Sequence, residues 1–344
     1  MPRGEGQRML LHALDHGIAT LSDTPASLRA LFAQVDDVPF WVDWPQLDLG
    51  GYTFLRCRLA FVVLACLSLP LIYSLPAGNK PLVFSGRLVH MAAPRLKETV
   101  RFVLATCRKG GLQRHSEGFK LTLRVRLIHA QIRRLLRESG RWDAEAWGAP
   151  INQCHLAGTN VLFSQGVLDG LRRMGYRFTR RDAEALLQLW RYSGYLSGIQ
   201  TELLPTSEAE ARRLREVLFS MEGPPDEDSR ALVQGVMEAA LAYVRHGSPE
   251  ICYGISRALI GRERAEALHY PQTGWRFLIP ALRPFVTAVE ISRQLNVPGV
   301  RALAAVCGTQ MLRHLMSDRG LPGEMGDFVL PEHLGGYTEE PEDS

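Results

Sequence analysis

Apolar residues recur at helical spacing along almost the whole chain, and the period-two alternation that marks strands is nearly missing. A chain so patterned can bury its apolar faces only by packing helix on helix, so the expected fold class is all-α. Two short helices are expected within 7–35, the second opened by Thr24-Pro25. Others are expected at 53–76, 82–91, 95–107 (with Pro94 in the first turn), 117–138, 153–174, 180–196, 207–221, 228–246, 249–268, 273–294 and 298–318. Thr179 and Thr206 read as N-caps, each followed by an acidic residue in the first turn. Residues 36–52, "DDVPFWVDWPQLDLGGY", read as a loop, "LPAGNKP" as a turn, and Gly110-Gly111 as a break. "MEGPPDEDS", 221–229, reads as a polar loop inside one assembly. The expected organisation is an N-terminal helical extension over 1–50, a main domain over 51–330, and a disordered acidic tail over 331–344.

Hydrophobic residues make up 46% and charged residues 22%, enough apolar material for a real core. The net charge of +4 is too weak to argue for nucleic acid, and no aromatic stacking platform accompanies the arginines. The first residues, "MPRGEGQRMLLHALDHG", lack the apolar run of a secretory signal, which sets the expectation of a cytoplasmic protein. Six cysteines, at 57, 66, 107, 154, 252 and 307, form no CxxC pair and no zinc spacing with histidine, and read as reduced core thiols. The uncharged stretch "LAFVVLACLSLPLIYSL", 59–75, is at the lower limit for a bilayer span and is interrupted by Pro70. A buried helix lining a core or an apolar pocket is the preferred reading, with peripheral membrane contact as the alternative.

One stretch calls for a partner. In "VRLIHAQIRRLL", residues 125–136, Arg126 and Arg133 stand nearly eclipsed two turns apart, with His129 roughly 60° round the helix. Ile128, Ile132, Leu135 and Leu136 make the adjoining apolar stripe. Such a surface suits a flat, apolar ligand with an anionic edge and a central metal, a description that fits haem. On the residues alone the commoner case is different: a lone histidine on an apolar face is more often a satisfied core residue, and an arginine-rich helix a solvated one.

The surrounding motifs add to this. "PRLKETVRF" lies upstream, "RLIHAQIR" supplies an RxxHxxxR pattern, and downstream come "WGAPINQCHLAGTN" and "LWRYSGYLSGIQ". In order and spacing, over about residues 50–220, the chain resembles the rubber oxygenases, or latex clearing proteins, and their MpaB-type relatives. The resemblance implies an all-α fold with a globin-like core and additional helices, and a b-type haem held without covalent attachment. It implies that His129 ligates the iron, that Arg126 and Arg133 retain the haem, and that Thr159 of "CHLAGT" lies near it. Arg95 and Thr99 match the distal pair, where oxygen and substrate meet. Being four residues apart, they share a helix face. The plainer reading of Thr99 is back-bonding to the Arg95 carbonyl, and of Arg95 an ion pair with a carboxylate such as Glu98.

Two departures stand out. Glu98 replaces the lysine that rubber-cleaving members carry beside the distal threonine, and "PAGNKP" offers no acid where they carry a glutamate. Rubber cleavage itself therefore does not carry over. The expected function is a haem-dependent oxygenase acting with dioxygen on a hydrophobic alkene, prenyl or lipid-like molecule. The alternatives are an oxidase or desaturase of natural-product biosynthesis and a non-catalytic haem binder. His90 is a minority candidate for a second axial ligand, His155 reads as a packing or capping residue, and Trp190, Tyr192 and Tyr195 read as core.

Overall fold

A computed structural model describes residues 5–84, 92–241 and 248–295. Every regular element among them is a helix, as the periodicity requires. The longer ones are α1 (Glu5–His16), α2 (Ala26–Asp36), α3 (Trp44–Leu55), α4 (Ala60–Tyr73), α5 (Pro76–Phe84), α6 (Ala92–Cys107), α7 (Glu117–Glu138), α8 (Gln153–Phe163), α9 (Gln165–Arg173), α10 (Arg180–Leu196), α11 (Glu208–Ser220), α12 (Glu227–Leu241), α13 (Pro249–Ile260), α14 (Arg262–Ala267) and α15 (Leu278–Gln294). His90, Cys307, the expected helix at 298–318 and the acidic tail lie outside the described residues.

Several expectations need correction. Residues 44–55, expected mainly as loop, form α3. Asp43 caps it by accepting the Gln46 N–H, and Pro45 sits harmlessly in its first turn. Its Gly50-Gly51 pair marks close packing rather than a break. A Cβ on Gly50 would strike the Ala185 carbonyl of α10, and one on Gly51 the Cys107 carbonyl of α6. "PAGNKP" is not a turn but the start of α5, made helical by partners far along the chain. The Asn79 amide donates to the Tyr73 carbonyl and to Ser229 Oγ, both at 2.9 Å. Lys80 pairs with Asp226 at 2.7 Å and with Asp228. Finally, the helix expected over 153–174 divides at Ser164, and that over 249–268 divides at Gly261, whose φ of 92° suits glycine.

The apolar 59–75 segment is α4, and its inner face, including Val63, Leu64, Leu67 and Leu69, is buried. Pro70 has no N–H for the carbonyl four residues back, and the turn Leu64–Ser68 just before it widens into a π-helix. Ser68, wholly buried there, donates to the Leu162 carbonyl at 2.8 Å. No single helix among the described residues is long and apolar enough to cross a membrane. Helices α3 and α4 together have the length and composition, but they bend by 83° at their junction.

The N-terminal helices join the same core as the rest: Leu10, Leu14 and Phe32 are buried against it. Thr179 caps α10 with a full capping box, whereas Ser207 rather than Thr206 caps α11. The Thr206 hydroxyl instead donates to Glu210 at 2.8 Å. The five described cysteines are free thiols, and all but the half-buried Cys154 are buried.

Candidate functional site

Helices α4 to α8 line a half-open cavity of about 300 Å³, at the small end of the usual ligand-site range. Its walls are mostly apolar: Leu69 and Ile72 from α4, Phe102 from α6, Ile128 and Ile132 from α7, and Phe163 from α8. Into this surface the fold brings His129, Arg95, Thr99 and Thr159 together, four of the six residues singled out from the sequence. Glu98 and His155 also line it.

His129 is neutral at ordinary pH. Loss of water around the ring pushes its pKa down from 6.5 to about 4, and the positive charges of Arg133 and Arg95 act in the same direction. Its Nδ1 is buried with no hydrogen-bond partner among the described residues. An imidazole must be unprotonated to ligate a metal, and a histidine walled into an apolar cavity with its polar capacity unmet suits that use. The residues therefore fit the haem that the sequence resemblance implies.

Thr99 donates its hydroxyl to the Arg95 carbonyl at 2.9 Å, the plainer alternative weighed from the sequence. Thr159 does the same to the His155 carbonyl at 2.9 Å. Both hydroxyls thus offer lone pairs to the cavity while their protons are engaged. Trp190 and Tyr192 are buried as core residues: Trp190 packs on Phe102 and Phe163 behind the cavity wall, and Tyr192 on Trp41 and Trp44.

Arg126 and Arg133 flank His129 along α7 but do not line the cavity. Arg126 donates to the Leu196 carbonyl at the end of α10 (3.2 Å) and to Gln34 Oε1 of α2 (2.8 Å). Its guanidinium lies over Gly198, whose φ of 85° and lack of a Cβ both matter, since a Cβ there would stand 2.8 Å from Arg126 Nε. Arg133 donates to the carbonyls of Pro150 and Ile151, at 3.2 and 3.1 Å. It thereby holds the "WGAPINQ" segment against α7. Ile151, a cavity residue, sits at φ 48°, a strained setting for a β-branched side chain.

The segment's last two residues extend the scaffold. Asn152 caps α8 through the His155 N–H at 2.9 Å. Gln153 donates to the Gly198 carbonyl at 3.0 Å and accepts the Gln200 N–H at 2.9 Å. The two motifs that carry the sequence resemblance are thus bonded to each other through one amide side chain.

Sequence reasoning missed Glu222. It stands just past α11, in what read as a polar loop, and is nearly buried. Its carboxylate reaches His155 Nε2 at 2.8 Å and accepts the Ala77 N–H at 3.1 Å. Nothing local marks it, because its partners lie 67 and 145 residues away.

An all-helical protein with a neutral imidazole walled into an apolar cavity is the class that fold and site define. Residues 55–290 match the family described as ER-bound oxygenase mpaB/B'/rubber oxygenase, catalytic domain, and the chain belongs to that family. A rubber oxygenase of Streptomyces sp. (strain K30) is 25% identical over 242 residues, covering 69% of this chain. The chain spans 57% of the length of that relative. The solved structure of latex clearing protein LCP in the closed state superposes with a TM-score of 0.73, covering 96% of this chain and 90% of that one. At 19% identity that likeness speaks for the fold.

Proposed function

We propose that this chain is a haem-dependent oxygenase acting with dioxygen on a hydrophobic molecule that carries an alkene, of prenyl or lipid-like character. The observation that carries the reading is His129: a neutral, buried-edge imidazole in the wall of an apolar cavity, in a chain of the oxygenase family. His129 would hold the iron of a b-type haem. Arg133, through Pro150 and Ile151, would keep the adjoining wall in place, and Thr159 would lie beside the macrocycle. Arg126 would serve retention indirectly, by fixing α7 to α2 and α10. Bound there, the haem supplies the activation of dioxygen.

The chain's own residues supply the rest. Arg95 brings a permanent positive charge to the cavity, suited to orienting an oxygen that gains electron density. Thr99, with its proton engaged, accepts rather than donates there. The aliphatic and aromatic walls favour a hydrocarbon chain over a polar one.

The test is an optical spectrum of the purified protein, as isolated and dithionite-reduced, beside His129→Ala. A Soret band in the wild type, lost or shifted in the variant, is the expected result. A colourless wild type overturns the reading. Glu98 at the cavity wall, in place of the lysine of rubber-cleaving members, favours a second reading, an oxidase or desaturase. Labelled dioxygen separates the two: label retained in the organic product marks oxygenation, and its absence marks desaturation.

A further inference from the structure

His155 and Glu222 connect the apolar cavity to a second, polar space. Glu222 lines a second, half-open cleft of about 620 Å³ with arginines and carboxylates on its surface. The same Glu222 carboxylate bonds His155 Nε2 through one oxygen and the Ala77 N–H through the other, at 2.8 and 3.1 Å. His155 lines the apolar cavity. Its backbone is fixed by the Asn152 cap, and its ring passes the Cβ-less face of Gly78. A carboxylate accepts only, so in the ring's neutral form the proton sits on Nε2 and the lone pair on Nδ1. That Nδ1 is buried and has no partner among the described residues. An unpaired buried nitrogen is unfavourable unless something completes it.

We propose that His155 and Glu222 form a proton path from the cavity to the cleft, with His155 as the acid–base group for a molecule held in the cavity. The proposal rests on reading that cavity as the substrate site. A proton leaves an O–H or C–H of the bound molecule, whose electron pair stays behind, and an N–H bond forms at Nδ1. The imidazolium so made is held by the Glu222 carboxylate. Nε2 then passes its proton to Glu222, which releases it to water in the cleft. The bound molecule is left with one negative charge and the cleft gains one proton. His155 is the catalytic residue in this scheme, and Glu222 is a positioning and relay residue.

The path can be tested without knowing the substrate. The probe is 2-fluoro-4-nitrophenol, a flat apolar acid whose ¹⁹F resonance reports its ionisation. It is added to saturation about one pH unit below its own pKa in solution, where roughly one free molecule in ten is ionised. All proteins are compared in the same redox state. In the wild type the bound phenol should be mostly phenolate. In His155→Gln the bound phenolate-to-phenol ratio should fall by about tenfold or more. Glu222→Gln should lower the ratio as well, and Glu222→Asp should restore part of it. Arg95 and Glu98 remain in every variant, so their charges cannot produce the difference.

The ratio is read at saturation and so does not follow a mere loss of affinity. If His155→Gln fails to fold, the Glu222 pair carries the same comparison. An unchanged ratio in His155→Gln, or a wild type that binds the phenol only in neutral form or not at all, overturns the path. A colourless wild type that ionises the phenol through His155 supports the path while refuting haem. A haem-loaded wild type with no such ionisation overturns the path alone.

Discussion

Arg126 and Arg133 occupy equivalent places on α7, yet they hold different things. Arg126 closes the end of α10 and grips α2, while Arg133 clamps the carbonyls of Pro150 and Ile151. Removing Arg133 frees two carbonyls and releases the strained Ile151 turn. Arg133→Ala should lower stability by about 2 kcal/mol, the usual loss for hydrogen bonds to a charged group, read by urea unfolding. His129 makes a different demand. Its native pKa lies near 4, and its unfolded value near 6.5. Between those values the unfolded chain holds more protons, so stability is complete above pH 6.5 and drains away as pH falls toward 4. Ligation of a metal by the same ring carries the same sign. The loss should be on the order of 3 kcal/mol across that window, and His129→Gln should flatten this part of the stability profile. The helical pattern put His129 beside an apolar stripe and Arg95 and Thr99 on one shared face, but it was the family resemblance that turned that pair toward the cavity they line. The pattern could not show that Arg126 turns to α2, because periodicity reports a face and not what covers it. Glu222 was beyond its reach for the same reason.

Among the helices, periodicity is a sufficient guide where a helix is stabilised by its own pattern, as in α7 and α10. It fails where a helix depends on neighbours. Pro, Gly and Asp in 36–52 carry the composition of a loop, and α3 exists because Gly50 and Gly51 let two other helices approach its backbone. Likewise α5 begins on "PAGNKP" because Asn79, Lys80 and the Ala77 N–H find partners on or just before α12. The α3 packing gives a direct test. A methyl group at Gly51 would meet the Cys107 carbonyl, which belongs to backbone and cannot swing aside. Gly51→Ala should therefore cost about 3 kcal/mol or more, at the upper end for overpacking, with a matching fall in thermal midpoint. Alanine at Gly223, which has open space around it, is the control and should change little.

Over the whole molecule, the core is closed by contacts between segments that lie far apart in the chain. Tyr195 and Arg126 both bind Gln34, joining α10 and α7 to the N-terminal helices. At the other end, α15 is fastened by Glu290, which is buried and accepts from Arg56 at 3.0 Å across 234 residues of sequence. Arg56 also donates to the Arg177 carbonyl and lies 3.7 Å from Asp182. No local signal announces this junction: Arg56 follows α3 as an ordinary basic residue, and Glu290 sits within an amphipathic helix. Both side chains are 6% exposed, so the pair is shielded from solvent and from salt. Deleting the acid would strand a buried guanidinium, and that is where buried ion pairs exert their largest effect. Asp182 and the Arg177 carbonyl keep part of its environment, which places the expected loss for Glu290→Ala at about 3 kcal/mol. Urea unfolding should show this as a lower midpoint at unchanged slope if α15 unfolds with the core. A new early transition, with the main transition unmoved, would instead mark α15 as a separately melting unit, because His129 and its walls lie on α4 to α8.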